Sequence, residues 1–249
     1  MGFGPHQRDW NELAEMDPLW AILSDPEKRH GKWDVTEFLE SGKHQIEDAL
    51  EHGRQLGFPL SFERALDFGC GVGRLTRALA DRFLTCMGVD VSPVMIEQAR
   101  RLNADKPACS FVVNTTDDLA FASDRSFDLI YCDIVLQHLP SHSTIEGYIR
   151  EFVRVLRPGG LLVFQLPSHI PLRHRLQLRR RLYAVFRFLR VPSRFLYERL
   201  GLYPIRMSSL PESDVVQRLE GEGATVLEVE RTIIGNSMIR DRRYWITRR

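Results

Sequence analysis

Glycine and aspartate residues that could bind a nucleoside are concentrated in the stretch Asp67-Phe68-Gly69-Cys70-Gly71-Val72-Gly73. The stretch follows an apolar run and precedes a helical pattern, so it is predicted to form a strand-to-helix turn. Glycines let the backbone of such a turn approach a ligand closely, and the first amides of the helix remain available as donors. Asp90 lies ~20 residues downstream at the end of the next apolar run, where a carboxylate accepts hydrogen bonds from both hydroxyls of a ribose.

The glycine spacing excludes two other kinds of nucleotide site. The dinucleotide fingerprint would require a third glycine at position 74, which is Arg74. A phosphate-binding P-loop would require Gly-Lys-Ser/Thr after the turn, and the sequence lacks it. What remains is GxGxG with an acid, Asp67, two residues before it.

Hydrophobic periodicity predicts which elements position these residues. Apolar runs predict strands at 64–68, 85–91, 109–113, 127–132, 160–166, 225–234 and 242–248. Helical spacing predicts helices at 43–56, 74–83, 92–102, 144–156 and 211–224. Strands that alternate with helices of this length predict a doubly wound α/β fold with a mostly parallel sheet. The last two strands are joined closely enough for an antiparallel hairpin.

Four stretches, at the spacing found in that family, resemble motifs of the class I S-adenosylmethionine-dependent methyltransferases. They are the acid and GxGxG turn, GVDVS (88–92), FDLIYCDIVLQHL (127–139) and LRPGGLLVF (156–164). The resemblance covers residues 63–166, and the final helix and hairpin match the family's reversed seventh strand. It implies a seven-stranded sheet with an antiparallel last strand and S-adenosyl-L-methionine as cofactor.

By the same resemblance, ten residues are expected to contact the cofactor: Asp67, Gly69, Cys70, Gly71, Gly73, Asp90, Val91, Thr116, Asp117 and Cys132. One position departs from the family, because Thr115 stands where an acid usually binds the adenine amino group. We expect side-chain oxygens of Asn114 or Thr115, and a backbone N–H of Thr116 or Asp117, to bind adenine instead. Asp117 and Asp118 equally fit the acidic first turn of a helix.

Two histidines follow the fourth strand at its carboxyl end, where open α/β sheets bind ligands. We predict His138 as the general base that deprotonates an acceptor hydroxyl, with His142 as the second candidate. The alternative is that His138 caps or packs against helix 144–156. Asp133 could bind a divalent cation, but the sequence places no second carboxylate beside it, and no metal site is predicted.

Charge is distributed unevenly along the chain. The formal net charge is +1, yet residues 1–165 carry 17 basic and 25 acidic residues, whereas residues 166–249 carry 17 and 8. Residues 168–210 contain ten arginines and one acid, with apolar residues interleaved at helical spacing. This pattern predicts a helical lid above the acceptor pocket that binds an anionic or polyhydroxylated acceptor. A solvated arginine face, or peripheral contact of 172–194 with an anionic surface, fits the same pattern.

Composition and length place the chain among globular proteins. Its 249 residues are 43% hydrophobic and 27% charged, and no run is long enough to span a membrane. The first twenty residues lack a signal-peptide pattern, and the four cysteines have no CxxC spacing, so reduced thiols and a cytoplasmic location are expected.

The predicted organisation is an N-terminal helical cap (1–60), a cofactor-binding core (61–167), the lid (168–210) and a closing helix and hairpin (211–249). Three aromatic residues of the cap are expected to close the cofactor side: Trp20, Trp33 and Phe38.

The sequence therefore predicts a methyltransferase that methylates an oxygen of a small molecule or glycan. The residues after the fourth strand lack the Asn/Asp-Pro-Pro-Tyr/Phe pattern of enzymes that methylate base amines, and no nucleic-acid partner is expected. Two alternatives remain open: a non-catalytic protein that binds the cofactor together with a partner or membrane, and, more weakly, an RNA methyltransferase. The sequence does not identify the acceptor or the oligomeric state.

Overall fold

Seven strands form one sheet in a computed structural model that describes residues 3–234 and 238–248. The strands lie in the order β3-β2-β1-β4-β5-β7-β6. They are β1 (Arg64–Phe68), β2 (Thr85–Asp90), β3 (Cys109–Val113), β4 (Phe127–Cys132), β5 (Leu156–Gln165), β6 (Ala224–Ile234) and β7 (Ile239–Arg248). Pairs among β1 to β5 are parallel, and β7 runs antiparallel to both β5 and β6. The predicted fold class, a mostly parallel sheet with a reversed last strand, is confirmed.

Helices cover both faces of the sheet. They are α1 (Gly4–Met16), α2 (Pro18–Ile22), α3 (Val35–Gln55), α4 (Arg74–Leu79), α5 (Pro93–Leu102), α6 (His142–Val155), α7 (Leu172–Arg175), α8 (Leu178–Phe188), α9 (Ser193–Leu200) and α10 (Glu212–Gly221). All six residues of β4 are buried, because alternate side chains enter two different cores. Leu129 and Tyr131 pack with α3 and α4, while Ile130 and Cys132 pack with α6. In the described part of the chain, no helix is long and apolar enough to cross a bilayer.

Three elements differ from their predicted boundaries by four residues or more. Helix α3 begins at Val35 rather than at residue 43, because the side chain of Asp34 accepts a hydrogen bond from the Glu37 amide and caps it. Strand β5 begins at Leu156 rather than at residue 160, and its pairing with β4 shifts register near Pro158 and Gly159. Helix α4 ends at Leu79, four residues before its predicted end.

The N-terminal helices and the insertion at 168–210 meet at a shared polar contact. The Asp17 carboxylate is buried and accepts hydrogen bonds from the Tyr197 hydroxyl of α9 (2.8 Å) and the backbone N–H of His30 (2.7 Å). The guanidinium of Arg29 lies over the rings of Trp20 and Tyr197, at 5.0 and 4.3 Å from their centroids. The insertion is therefore fixed to the N-terminal segment as well as to the sheet.

Candidate functional site

A cavity of about 990 Å³ lies at the carboxyl ends of β1, β2 and β4. The N-terminal helices and α7 and α8 form the remaining walls. Seven of the predicted site residues line it: Asp67, Gly69, Cys70, Gly71, Asp90, Val91 and His138. The sheet edge that the sequence indicated is therefore the site of the cavity.

The glycine turn is held in a conformation that side chains would disturb. Gly69 has φ +77°, and a Cβ built on it would lie 2.2 Å from Cγ2 of Val135. Gly71 has φ +52°, and its Cβ would lie 2.4 Å from Cδ1 of Ile22. The backbone N–H groups of Gly69 and Cys70 both donate to the carbonyl of Val89, which ties the turn to β2. Glycine is required here for conformation and for close packing.

Asp90, the last residue of β2, is hydrogen-bonded to the glycine turn. Its two oxygens accept hydrogen bonds from the backbone N–H groups of Gly71 (2.9 Å) and Ser92 (2.8 Å). Burial raises the pKa of Asp90, and these backbone bonds oppose the shift. Since a carboxylate offers about four acceptor sites, lone pairs remain for ligand hydroxyls.

Asp67 lies behind the turn and is also buried. It accepts a hydrogen bond from the Thr76 hydroxyl (2.6 Å). Burial raises its pKa to about 6, against the opposing effects of that hydrogen bond and of Arg74. Asp67 therefore links the turn to the first residues of α4.

Arg74, the residue that broke the dinucleotide fingerprint, lies in the cavity wall and is 4% exposed. Its terminal nitrogens donate to the side chains of Gln45 (2.8 Å) and Ser41 (3.3 Å). Its Nε atom is buried and has no hydrogen-bond partner among the described residues. Burial lowers the pKa of Arg74, while Asp133 and Asp67 raise it. Sequence reasoning missed this residue, although a basic residue directly after the glycine turn was the available signal.

Five predicted site residues are absent from the cavity wall formed by the described chain: Gly73, Cys132, Thr116, Asp117 and His142. Gly73 contacts Asn103 and Phe111 instead, and Cys132 is fully buried against α6. Thr116 and Asp117 are exposed beyond β3, and His142 is exposed at the start of α6. Asn114, the first residue after β3, does line the cavity, beside Tyr148.

His138 lies in the cavity wall on a short 3-10 turn and is 8% exposed. Its Nδ1 is bonded to the carbonyl of Arg206, and because a carbonyl only accepts, Nδ1 carries the proton. Nε2 is therefore the acceptor nitrogen, and the Gln137 amide lies 3.3 Å from it. Burial lowers the pKa of His138 to about 4, so the imidazole is neutral near pH 7.

The cavity wall also contains aromatic and basic side chains. Trp10 and His6 of α1 contribute to it, and the Trp10 ring lies 5.6 Å from that of His138. Arg179 and Arg180 of α8 line the cavity as well, as does His174 of α7, whose Nε2 atom is buried without a hydrogen-bond partner in the described chain. Trp33 lines the cavity as well, whereas Trp20 and Phe38 are buried in the packing of the N-terminal segment.

The candidate metal ligands among the described residues already have other partners. The two carboxylate oxygens of Asp133 face the Gln45 amide (2.7 Å) and the Arg243 guanidinium (3.3 Å), partners that compete with a cation. One group has donor atoms close enough to share an ion, and it lies outside the cavity wall: His52, Glu228 and Glu230. These three already interact with one another, and Glu230 also accepts from the Trp245 indole.

Three kinds of comparison show which proteins this chain is similar to. The profile of a family described as "Methyltransferase domain" matches residues 66–164. A trans-aconitate 2-methyltransferase of Methylobacterium radiotolerans is 38% identical over 115 residues, covering 45% of this chain and 41% of the relative. A ubiquinone biosynthesis O-methyltransferase of Paracidovorax citrulli is 32% identical over 158 residues, covering 62% of this chain and 63% of the relative. The crystal structure of magnesium protoporphyrin IX methyltransferase from Synechocystis PCC 6803 superposes with a TM-score of 0.62 at 18% identity, covering 99% of both chains.

Fold and site together define a protein with a nucleoside cavity at the rim of a seven-stranded α/β sheet. Residues 66–164 form a methyltransferase domain, and the chain has the fold of the class I S-adenosylmethionine-dependent methyltransferases. Its aligned part spans 41%, 52% and 63% of the first three curated relatives it matches. The residues present fit the family's cofactor, because the glycine cradle leaves no space for a Cβ, Asp90 keeps free lone pairs, and Arg74 presents an unpartnered donor.

Proposed function

We propose that this protein transfers a methyl group from S-adenosylmethionine to an acidic oxygen of a small anionic acceptor. The observation that carries the proposal is the continuity of one cavity. Its wall contains the glycine turn and Asp90 together with His138, Arg179 and Arg180, and the last three are proposed to form the acceptor end. Donor and acceptor in such a cavity are held in the alignment that an in-line displacement needs, and alignment can supply ~7–11 kcal/mol of the barrier.

Three contacts are proposed to hold the cofactor. Asp90 accepts hydrogen bonds from the ribose hydroxyls while Gly71 and Ser92 keep its carboxylate in place. Asn114 and Tyr148, which line the cavity beyond β3, contact the adenine. The unpartnered Nε of Arg74 donates to the carboxylate of the methionyl group. Bound there, S-adenosylmethionine supplies an electrophilic methyl group on a sulfonium sulfur.

The acceptor end is proposed to bind an anion. Arg179 and Arg180 supply positive charge, and His174 supplies a buried nitrogen that still lacks a partner in the described chain. A carboxylate or phenolate would satisfy both the charge and the open hydrogen-bonding position. The insertion at 168–210 then acts as the acceptor lid.

The low pKa of His138 favours a methyl acceptor with an acidic oxygen over one with an aliphatic hydroxyl. Its Nε2 lone pair faces the Gln137 amide, and an acceptor must displace that amide before it can pass a proton or hydrogen bond to Nε2. However, burial holds its pKa at about 4, which is far below that of an alkyl alcohol, and general bases work best when their pKa suits the proton they remove. An acceptor that is ionised at neutral pH needs little help from this base.

The names of the curated relatives agree with this proposal. One acts on trans-aconitate, whose nucleophilic atoms are carboxylate oxygens, and another is an O-methyltransferase of ubiquinone biosynthesis. Both names are consistent with transfer of a methyl group to oxygen.

Binding and turnover test the proposal separately. Calorimetric titration with S-adenosylhomocysteine should show loss of binding in Asp90→Asn, which preserves the shape of the side chain. Asp105→Asn, a change at an exposed carboxylate, is the control. Transfer of labelled methyl from the donor to a panel of carboxylic acids, phenols and alkyl alcohols should be fastest to the carboxylic acids, which are ionised at neutral pH, slower to phenols and slowest to alkyl alcohols. Cofactor binding without transfer to any acceptor would instead identify a non-catalytic binding protein.

A further inference from the structure

Helix α8 has an apolar stripe that faces solvent. Leu178, Leu182, Val185 and Leu189 follow one another at helical spacing and are between 49% and 62% exposed. Tyr183, on the opposite side of the helix, is buried against Leu196 and Leu202. An amphipathic helix normally turns its apolar residues inward, so an outward stripe is surface that lacks its covering partner.

Phe188 adds to this surface, because it lies on the same helix and is 87% exposed. Aromatic and leucine side chains at such positions are typical of helices that lie in the interface of a bilayer. We propose that α8 docks this protein on the surface of an anionic lipid bilayer, with the stripe entering the headgroup region.

The positive charge of the insertion favours an anionic bilayer over other partners for the apolar stripe of α8. The insertion at 168–210 carries ten arginines against a single acid, Glu198. Arg181 lies within the outward face of α8 and is exposed, as is Arg190 directly after the stripe. Each arginine near an anionic leaflet strengthens binding by about fivefold. A second copy of this chain is disfavoured on the stripe, because two such insertions would bring like charges together.

The stripe and the cavity are close together along α8. Leu178 belongs to both, and Arg179 and Arg180 line the cavity at the start of the same helix. Docking would therefore hold the cavity near the lipid surface. The inference concerns binding only and does not depend on the proposed methyl transfer.

Vesicle flotation tests the inference with the 249-residue chain. The chain should float with vesicles of phosphatidylcholine and phosphatidylglycerol, and should remain unbound with phosphatidylcholine alone. Replacing two stripe residues in Leu182→Glu/Val185→Glu should lower the partition coefficient by about tenfold or more. Arg181→Gln should lower it by about fivefold.

Matched surface variants serve as controls. Leu84→Glu changes an exposed leucine outside the insertion, and Arg101→Gln changes an exposed arginine of α5. Both should float like the parent chain, and thermal unfolding should show all four variants folded. Absence of flotation with anionic vesicles would overturn the inference, as would equal loss in Leu84→Glu. Sedimentation that shows a dimer dissociated by the stripe variant would assign the stripe to self-association instead.

Discussion

Two glycines have similar backbone angles but different surroundings. Comparing them separates the need for a left-handed conformation from the need for close packing in the glycine turn. Gly69 and Gly57 have φ of +77° and +86°, yet a Cβ on Gly57 would meet no atom within 4 Å. Alanine at either position should lower the free energy of unfolding by about 1–2 kcal/mol, because a residue with a Cβ is strained in the left-handed backbone conformation. Gly69→Ala additionally forces a clash with Val135 and should cost about 1–3 kcal/mol more.

The consequence for binding should separate the two variants further. Gly69→Ala displaces the turn from its contact with β2 and should weaken binding of S-adenosylhomocysteine by about tenfold or more, whereas Gly57→Ala should leave the affinity unchanged. Urea unfolding and calorimetric titration measure the two effects. Equal affinities in both variants would show that the turn does not form the cofactor cradle.

The protonation state of His138 gives a second prediction at this scale. If the acceptor is an acidic oxygen, His138→Gln should lower kcat by less than about tenfold, because no costly proton removal is lost. Loss of an essential general base would lower it by ~10²–10⁴-fold. Single-turnover rates of the parent and variant distinguish the two, and a large loss would favour the hydroxyl acceptor predicted from the sequence.

Among the elements, the contact between the N-terminal segment and α9 is the most specific. Arg29 lies over Trp20 and Tyr197 and donates to the Tyr197 carbonyl (2.8 Å), so one side chain joins two parts of the chain far apart in sequence. Cation–π contacts of this kind contribute ~0.5–2 kcal/mol each.

Arg29→Ala should therefore loosen the insertion without affecting the sheet. Hydrogen exchange of amides in α9 should accelerate by about tenfold, while exchange in β4 stays unchanged. Arg54→Ala, at an exposed pair on α3, is the control. Uniform acceleration across the molecule would show that the contact stabilises the whole fold rather than the lid.

The same elements show what sequence can and cannot predict. The strands were predictable because their burial on both faces produces apolar runs, and Gly69, Gly71 and Asp90 followed from the turn between them. His6 and Trp10 were not predictable as cavity residues, because α1 reaches the cavity only through tertiary packing. Thr116 and Asp117 were placed by register after β3, but the chain turns outward there, and Asn114 occupies the cavity position instead.

For the whole molecule, buried titratable groups set the pH dependence of stability. Burial lowers the pKa of His6 and His138 to about 4, so their contribution is present above about pH 6.5 and is lost as the pH falls towards 4. Burial raises the pKa of Asp9 and Asp67 to about 6, so their contribution is present below about pH 3.8 and is lost as the pH rises through 6. The two pairs act in opposite directions between pH 4 and 6.

His6→Asn should remove one of the acid-sensitive contributions. Between pH 7 and pH 5 its free energy of unfolding should fall by about 1–2 kcal/mol less than that of the parent. Urea unfolding at both values measures the difference, with His44→Asn as an exposed control. Parallel curves for parent and His6→Asn would contradict the assignment of a buried neutral imidazole.

The position of β7 also constrains how a nascent chain can assemble. In the sheet formed by residues 3–234 and 238–248, β6 pairs with β7 alone, and β7 separates it from β5. During vectorial synthesis β6 leaves the ribosome first but has no partner until residues 239–248 follow. The open edge of β5, a mostly buried strand, is meanwhile available to other unfolded polypeptides. Holdase chaperones should therefore bind translation intermediates that end between β5 and β7 more strongly than shorter or longer ones.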